Sequence, residues 1–342
     1  MKAALLESVG KLTITDVERP VLTGADQVLI QVKAVGVCGS EIHAFKGTHP
    51  FRKPPSVLGH EVTGDIVEAG PEVSGFKVGD RVFVDPQWNC GECEWCRTGR
   101  HNMCQTKLVL GTEKWSGGLG EYIVAPERSL YHLPDHVSYV DGTTIEPLAV
   151  AVHMVDRVSV SADDSVLVLG AGAIGMMITA TAGSIGAKPI IAVDLEEHCL
   201  DVAKRSLGAT DTLLGGGGPL SEKILEITGG KPVDVVFLTV GVPPLLDEAL
   251  TVTALDGRIM FVALFDKPVQ FPPNRLIDRH LTFFGSNMYN AKDIQTAVDL
   301  VSSGKVEVGA MVTHVLSLDE AQRGFDLASS KDDGAIKVVL EV

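Results

Sequence analysis

Residues 165–194 read SVLVLGAGAIGMMITATAGSIGAKPIIAVD, two short apolar runs on either side of a glycine-rich turn and a helix of small residues. SVLVLG (165–170) is an apolar run too short for a helix. AIGMMITATAGSIGA (173–187) supplies a helix of small residues, and PIIAVD (189–194) supplies the next strand. Between them Gly170-Ala171-Gly172-Ala173-Ile174-Gly175 is a G-x-G-x-x-G run, directly after a strand and directly before a helix. There the first glycine permits a tight turn, the second lets the backbone approach a pyrophosphate, and the third lets helix and strand pack closely. The helix N-terminus offers unpaired N–H groups and the positive end of its dipole to phosphates. Asp194 closes the second strand, 19 residues beyond Gly175. An acidic group there can accept hydrogen bonds from the adenosine ribose hydroxyls. Leu195, Glu196 and Glu197 follow with no adjacent Arg or Lys, so a 2′-phosphate would meet carboxylates and NAD is favoured over NADP. The competing reading is that the glycines serve only packing and that Asp194 caps the next helix. The expected cofactor site is Gly170, Gly172, Ala173, Ile174, Gly175, Asp194 and Val240.

The same alternation continues outward. EEHCLDVAKRSLGA (196–209) and LLDEALTVTA (245–254) read as helices, VDVVFLTVG (233–241) and GRIMFVAL (257–264) as strands. Strands alternating with helices imply a parallel sheet, and uniformly apolar strands imply cover on both faces. GGGG (215–218) reads as a loop. Upstream, VLIQVKAVGV (28–37), VTGDIVEAG (62–70), DRVFVDP (80–86) and GEYIVAP (120–126) are short β-rich runs. Downstream, AKDIQTAVDLVSSGK (291–305) reads as an amphipathic helix and AIKVVLEV (335–342) as a strand. The expected class is α/β, with a β-rich domain over 1–152, a doubly wound dinucleotide-binding domain over 153–284 and a return to the first domain over 285–342.

A chain of 342 residues accommodates about two domains. Its 45% hydrophobic content, 5% aromatics and 36 glycines suit a packed α/β protein. The net charge of −15 argues against a nucleic-acid partner, which needs a basic face. No apolar run is long enough for a signal peptide or a membrane span, so no membrane partner is expected and the cytoplasm, with reduced thiols, is the default compartment.

NCGECEWCRTGRHNMC (89–104) places Cys90, Cys93, Cys96 and Cys104 in C-x2-C-x2-C-x7-C spacing. Four thiolates this close can close a tetrahedral zinc site with no position left for water, hence a structural metal in a lobe over 86–106. The common Fe–S spacings differ, and disulfides fit poorly without a secretory signal. A second constellation is more open. Cys38 lies in VCGSEIH and His60-Glu61 in LGHEVTG. A catalytic zinc needs about three protein ligands and one open position. Cys38, His60 and a carboxylate, Glu61 or Glu146 in IEPLAVAVH, could supply it. Alone, such a Cys or His is more often a packing residue. Cys199 falls in the helix after Asp194 and reads as packing.

VCGSEIH, GHEVTGDIVEAG, the four-cysteine lobe, IEPLAVAVH and GAGAIG occur in the order seen in zinc-dependent medium-chain dehydrogenases, and the chain resembles that family from end to end. Glu146 before Pro147 and the stretch KGTHPFRKPPSVLGHE resemble the polyol and sugar-acid branch, with sorbitol and L-idonate dehydrogenases; threonine 3-dehydrogenase is a neighbour. The resemblance implies a GroES-like catalytic domain built from both chain ends and a Rossmann domain between them. It implies catalytic zinc ligands at Cys38 and His60, with Glu61 binding the metal or exchanging with water, and Glu146 holding it directly or through water. It further implies a proton relay through Ser40 and His43, by way of the cofactor ribose. For Ser40 the competing reading is a helix cap, for His43 an ordinary surface histidine.

The expected reaction is oxidation of a secondary alcohol of a polyol or sugar acid, with one catalytic zinc, one structural zinc and NAD. Candidate polar contacts to the substrate are Asn287, Tyr289, Trp115 and Glu113, with Phe51 and Arg52 on a loop bordering the cleft. Arg52 reads either as a bidentate partner for a carboxylate or as a surface arginine. Rival readings are oxidation of threonine and a non-catalytic NAD-binding protein on the same fold. Relatives imply a homodimer or homotetramer, with GRIMFVAL and its neighbours as the contact.

Overall fold

The strand–helix alternation after Val155 builds one sheet. In the computed structural model, which describes residues 1–265 and 268–342, its six strands lie in the order Asp211–Leu214, Ile190–Asp194, Val166–Leu169, Val233–Leu238, Thr253–Phe261 and Thr282–Gly285, all parallel. Counted along the chain this is the order 3-2-1-4-5-6 of a doubly wound sheet. The order reverses between Val166–Leu169 and Val233–Leu238, which puts Gly170 and Val240 at the crevice beyond their carboxyl ends. Val166, Leu167, Val168 and Leu169 are each 0% exposed, as expected for a sheet covered on both faces. Each such side chain contributes about 1.5–3 kcal/mol through burial. The helix after the glycine run, Ala173–Ile185, stops at Gly186, whose φ of 99° is the left-handed turn a helix end favours.

GRIMFVAL falls in Thr253–Phe261, which is paired on both sides, by Val233–Leu238 and by Thr282–Gly285. Its ladder is filled, and among the described residues the edges of the sheet are Asp211–Leu214 and its own neighbour Thr282–Gly285.

A second sheet has seven strands centred on Gln27–Gly36, which pairs antiparallel with Glu61–Ala69, Tyr122–Pro126 and Lys337–Glu341. Arg81–Val84 and Leu130–His132 extend it on one side, Val312–Ser317 on the other. Gly36 pairs with Glu61 and with Val339, so three distant segments meet at one end of this strand. Two short strands, Gln87–Trp88 and Leu108–Val109, frame the cysteine lobe.

Contacts divide the chain into two units. One comprises Met1–Glu146, Asn290–Ser302 and Val312–Val342; the other comprises Pro147–Tyr289 and Ser303–Met311. The first boundary therefore falls six residues before the expected 152/153. The tail is also interleaved, because the short turn Val308–Met311 buries Val308 and Met311 against the dinucleotide unit. Among the described residues no helix is long and apolar enough to cross a membrane.

Candidate active site and metal centres

Cys90 and Cys93 lie on the loop after Gln87–Trp88, Cys96 on the single turn Glu94–Arg97, and Cys104 just after the turn His101–Met103. Their sulfurs are 3.5 Å (Cys93–Cys96), 3.6 Å (Cys90–Cys104) and 3.9 Å (Cys90–Cys96) apart. A disulfide needs about 2.05 Å. Four sulfurs on one zinc at about 2.3 Å stand about 3.8 Å from one another, so the group fits that ion. Backbone N–H groups of Glu92 and Cys93 lower the Cys90 thiol to about 6. Burial and neighbouring sulfurs push Cys96 up to about 12. Side by side, these sulfurs cannot all ionise without a cation between them.

Cys38 lies two residues beyond the central strand and caps the helix Gly39–Phe45. Because Gly36 pairs with Glu61, the turn before that strand brings His60 to the same place. The ligand atoms of Cys38, His60 and Glu61 lie within 4.8 Å of one another. A thiolate, an imidazole and a carboxylate make three donors with room for a fourth, which fits a catalytic zinc. Glu146, buried in the first turn of Ile145–Arg157, lies outside this group of three.

Two residues that hold this group were not picked out from the sequence. Glu41 is fully buried and accepts from the Cys38 N–H at 2.9 Å, the Gly59 N–H at 2.8 Å and His60 Nδ1 at 2.8 Å. Burial would raise its pKa, but the charges of His60 and Arg52 and these hydrogen bonds bring it down to about 2. An ionised Glu41 obliges Nδ1 to be the donor and leaves the Nε2 lone pair for a metal. Lys337, 2% exposed, donates to Glu61 Oε2 and, at 3.2 Å, to the Val37 carbonyl. Burial would lower its pKa, yet Glu61 and Cys38 more than offset this and raise it. A Cβ on Gly36 would come within 2.0 Å of Glu61 Oε2, so this crossing needs glycine. The S-E in VCGSEIH and the lone Lys in the apolar AIKVVLEV were the available signals.

Ser40 and His43 stand one turn apart on the same helix, Ser40 half-buried and His43 exposed with Nδ1 3.1 Å from Thr48 Oγ1. Ser40 is not the helix cap; Cys38 is. Arg52 is neither a surface residue nor a free fork. It is 5% exposed and donates to Ser40 Oγ and to the carbonyls of Leu110 and Gly111. Two of the proposed substrate contacts are also corrected. Trp115 is buried and spends its Nε1–H on the Val124 carbonyl at 2.8 Å. Tyr289 is fully buried. Glu113 is exposed and lines, with Phe51, Lys107 and Thr112, a cavity of about 340 Å³; Asn287 is exposed in the other unit.

At the glycine run the roles divide. A Cβ on Gly170 would lie 2.2 Å from Thr239 Oγ1, and one on Gly175 would lie 1.9 Å from the Gly170 carbonyl oxygen. A Cβ on Gly172 would meet nothing within 4 Å, so its backbone faces open space at the helix start. That cradle fits a pyrophosphate. Ala173 and Ile174 are half-buried at the same helix start. Val240 is 39% exposed beside Gly170. Asp194 accepts from the Ala171 N–H at 2.6 Å, from Leu195 N–H at 2.8 Å and from Glu196 N–H at 3.1 Å. It therefore ties the glycine turn to its own strand end. Cys199 is buried in the helix Glu197–Ser206, as packing requires.

Residues 24–135 match the alcohol dehydrogenase GroES-like domain and residues 173–303 match the zinc-binding dehydrogenases. A probable D-xylulose reductase A of Neosartorya fischeri is 35% identical over 94% of this chain and 91% of its own length. The chain belongs to the zinc-binding dehydrogenase family. Another relative, D-arabitol-phosphate dehydrogenase of Enterococcus avium, is 35% identical over 92% of this chain and 90% of its own. Solved structures similar to this chain carry both nicotinamide cofactors. A Sinorhizobium meliloti zinc-binding dehydrogenase bound to NADP superposes with TM-score 0.91 at 32% identity, covering 100% of this chain and 99% of that one. An Escherichia coli alcohol dehydrogenase complexed with NADH superposes with TM-score 0.92 at 30% identity and the same coverage.

Proposed function

We propose that this zinc-binding dehydrogenase oxidises a secondary alcohol of a polyol or sugar acid to a ketone, with hydride transfer to NAD. The observation that carries it is the three-donor group Cys38, His60 and Glu61, with Ser40 one helical step away, in a chain whose relatives include a D-xylulose reductase and a D-arabitol-phosphate dehydrogenase. A zinc held there would polarise the substrate oxygen, and NAD would take the hydride. The chain's own residues position these partners. Glu41 fixes the His60 tautomer, and Lys337 holds the Glu61 carboxylate against the strand end. Ser40 receives the alcohol proton and His43, one turn on and exposed, returns a proton to solvent. One hydride and one proton leave the substrate carbon and oxygen, giving ketone, NADH and H⁺. Glu146, outside the group of three, is assigned no direct bond to the metal. NAD is preferred because Asp194 is anchored as a carboxylate by three N–H groups and Glu196 and Glu197 follow it. The six free cysteines suit the cytoplasm, and a homodimer or homotetramer is part of the same proposal.

The test is NADH absorbance with a panel of polyols, aldonates and threonine, on protein of known zinc content. Turnover of a polyol or aldonate that chelation abolishes is the expected result. Turnover of threonine alone, or full activity of Cys38→Ser after chelation, would sink the proposal.

A further inference from the structure

Arg52 has no part in the reaction as written, yet the fold spends much on holding it. The side chain is 5% exposed, with Nη1 donating to Ser40 Oγ at 2.8 Å, Nη2 to the Leu110 carbonyl at 3.2 Å and Nε to the Gly111 carbonyl at 3.3 Å. Its own N–H donates to His49 Nδ1 at 3.0 Å, so the loop is fixed at backbone and side chain alike. A buried cation is costly to keep unless its donors are met. Of its five N–H donors, two meet carbonyls that keep the fork aimed and one meets the serine. A hydroxyl oxygen has two accepting lone pairs and one O–H to give. With Arg52 on one lone pair, Ser40 keeps one accepting and one donating direction. Without it the hydroxyl can turn among its staggered wells and offer either lone pair to a substrate.

We propose that Arg52 is a positioning residue for the proton relay, holding Ser40 so that a proton accepted on its open lone pair leaves as the serine's own hydrogen. One proton arrives, one departs, and Oγ ends as it began. The inference rests on the role given to Ser40 above. Arg52 also stands near enough to Glu41 to lend it charge, which is why zinc content is checked in every variant; in enzyme of equal zinc content the loss on removing Arg52 is predicted to run through Ser40.

The experiment is a double-mutant cycle on the zinc-loaded enzyme with its best alcohol: wild type, Arg52→Gln, Ser40→Ala and both together, with zinc content checked for each. Arg52→Gln is expected to lower kcat on the order of tenfold, the worth of one charge-assisted hydrogen bond, and to leave KM within about twofold. Arg52→Lys, which keeps the charge and one donor, is expected to recover part of this loss. In the Ser40→Ala background Arg52→Gln is expected to cost less than about twofold more. Independently of turnover, Ser40→Ala is expected to shift the Arg52 side-chain ¹⁵N–¹H resonances; unmoved resonances overturn the contact even if Arg52→Gln does not fold. Fully additive losses overturn the inference. So does a rise in KM confined to anionic substrates, which would make Arg52 a substrate anchor. A wild type that oxidises no alcohol, or a Ser40→Ala enzyme of full activity, would instead bring down the functional reading itself.

Discussion

Glu41 has no place in the sequence expectation, yet it joins the backbone of Cys38 to the ring of His60. Carboxylates that orient a ligating imidazole are worth roughly 10–100-fold in metal affinity. Glu41→Gln is therefore expected to weaken retention of one zinc by that order in chelator competition and to leave the four-cysteine zinc in place; equal retention of both would refute the role. His49 gives a pH signature. Burial first, then the charge of Arg52, brings its pKa from 6.5 down to about 4. Its Nδ1 accepts from the N–H groups of Phe51 and Arg52, and a protonated ring would lose both. The unfolded chain takes that proton near 6.5 and the folded chain only near 4, so stability falls as pH drops through this window. Denaturant unfolding from pH 7 to pH 4 is expected to show that loss in the wild type and a smaller one in His49→Gln. The four cysteines were legible as a metal group because spacing announces ligands, whereas Cys38 and His60, ambiguous alone, took their expected role from the family resemblance. Glu41, Arg52 and Lys337 were not, since a charged residue reads as solvated until the tertiary structure buries it.

At the scale of the element, the glycine run separates folding from binding. Gly170 has φ 107° and Thr239 Oγ1 where a Cβ would stand, so Gly170→Ala is expected to cost about 1–3 kcal/mol in unfolding free energy. Gly172 has φ −70° and ψ −173°, which any residue adopts, and open space beside it. Gly172→Val is expected to unfold like the wild type and to lose NADH affinity in a fluorescence titration. A matched drop in stability at both positions would remove the distinction. The strands and helices around this run were readable because each is apolar on the side that packs. The short strand Asp211–Leu214 and the helix Pro273–Arg279 have no fully buried residues, and without a buried stripe they carry little periodic signal.

For the whole molecule, two sulfur-bearing groups predict about two zinc ions per chain by metal analysis, one on Cys90, Cys93, Cys96 and Cys104 and one on the Cys38 group. Cys93→Ser is expected to keep one and to melt at lower temperature while still binding NADH; two retained ions would argue against a four-sulfur site. The class of each half was legible from its repeating grammar, β-rich on one side and alternating on the other. The interleaving of the tail was not, because Val308 and Met311 look alike whichever core receives them. Lys337 sits on a strand that docks beside Gln27–Gly36, some 276 residues after the Glu61 it pairs with. A ribosome must therefore deliver all the residues between them before that carboxylate meets its cation. Until then Tyr122–Pro126 covers only Gln27–Gln31 on that flank, and Ala34–Gly36 waits bare beside a thiol two residues on, which makes the nascent chain, rather than the finished enzyme, the form most exposed to mispairing and to stray metal.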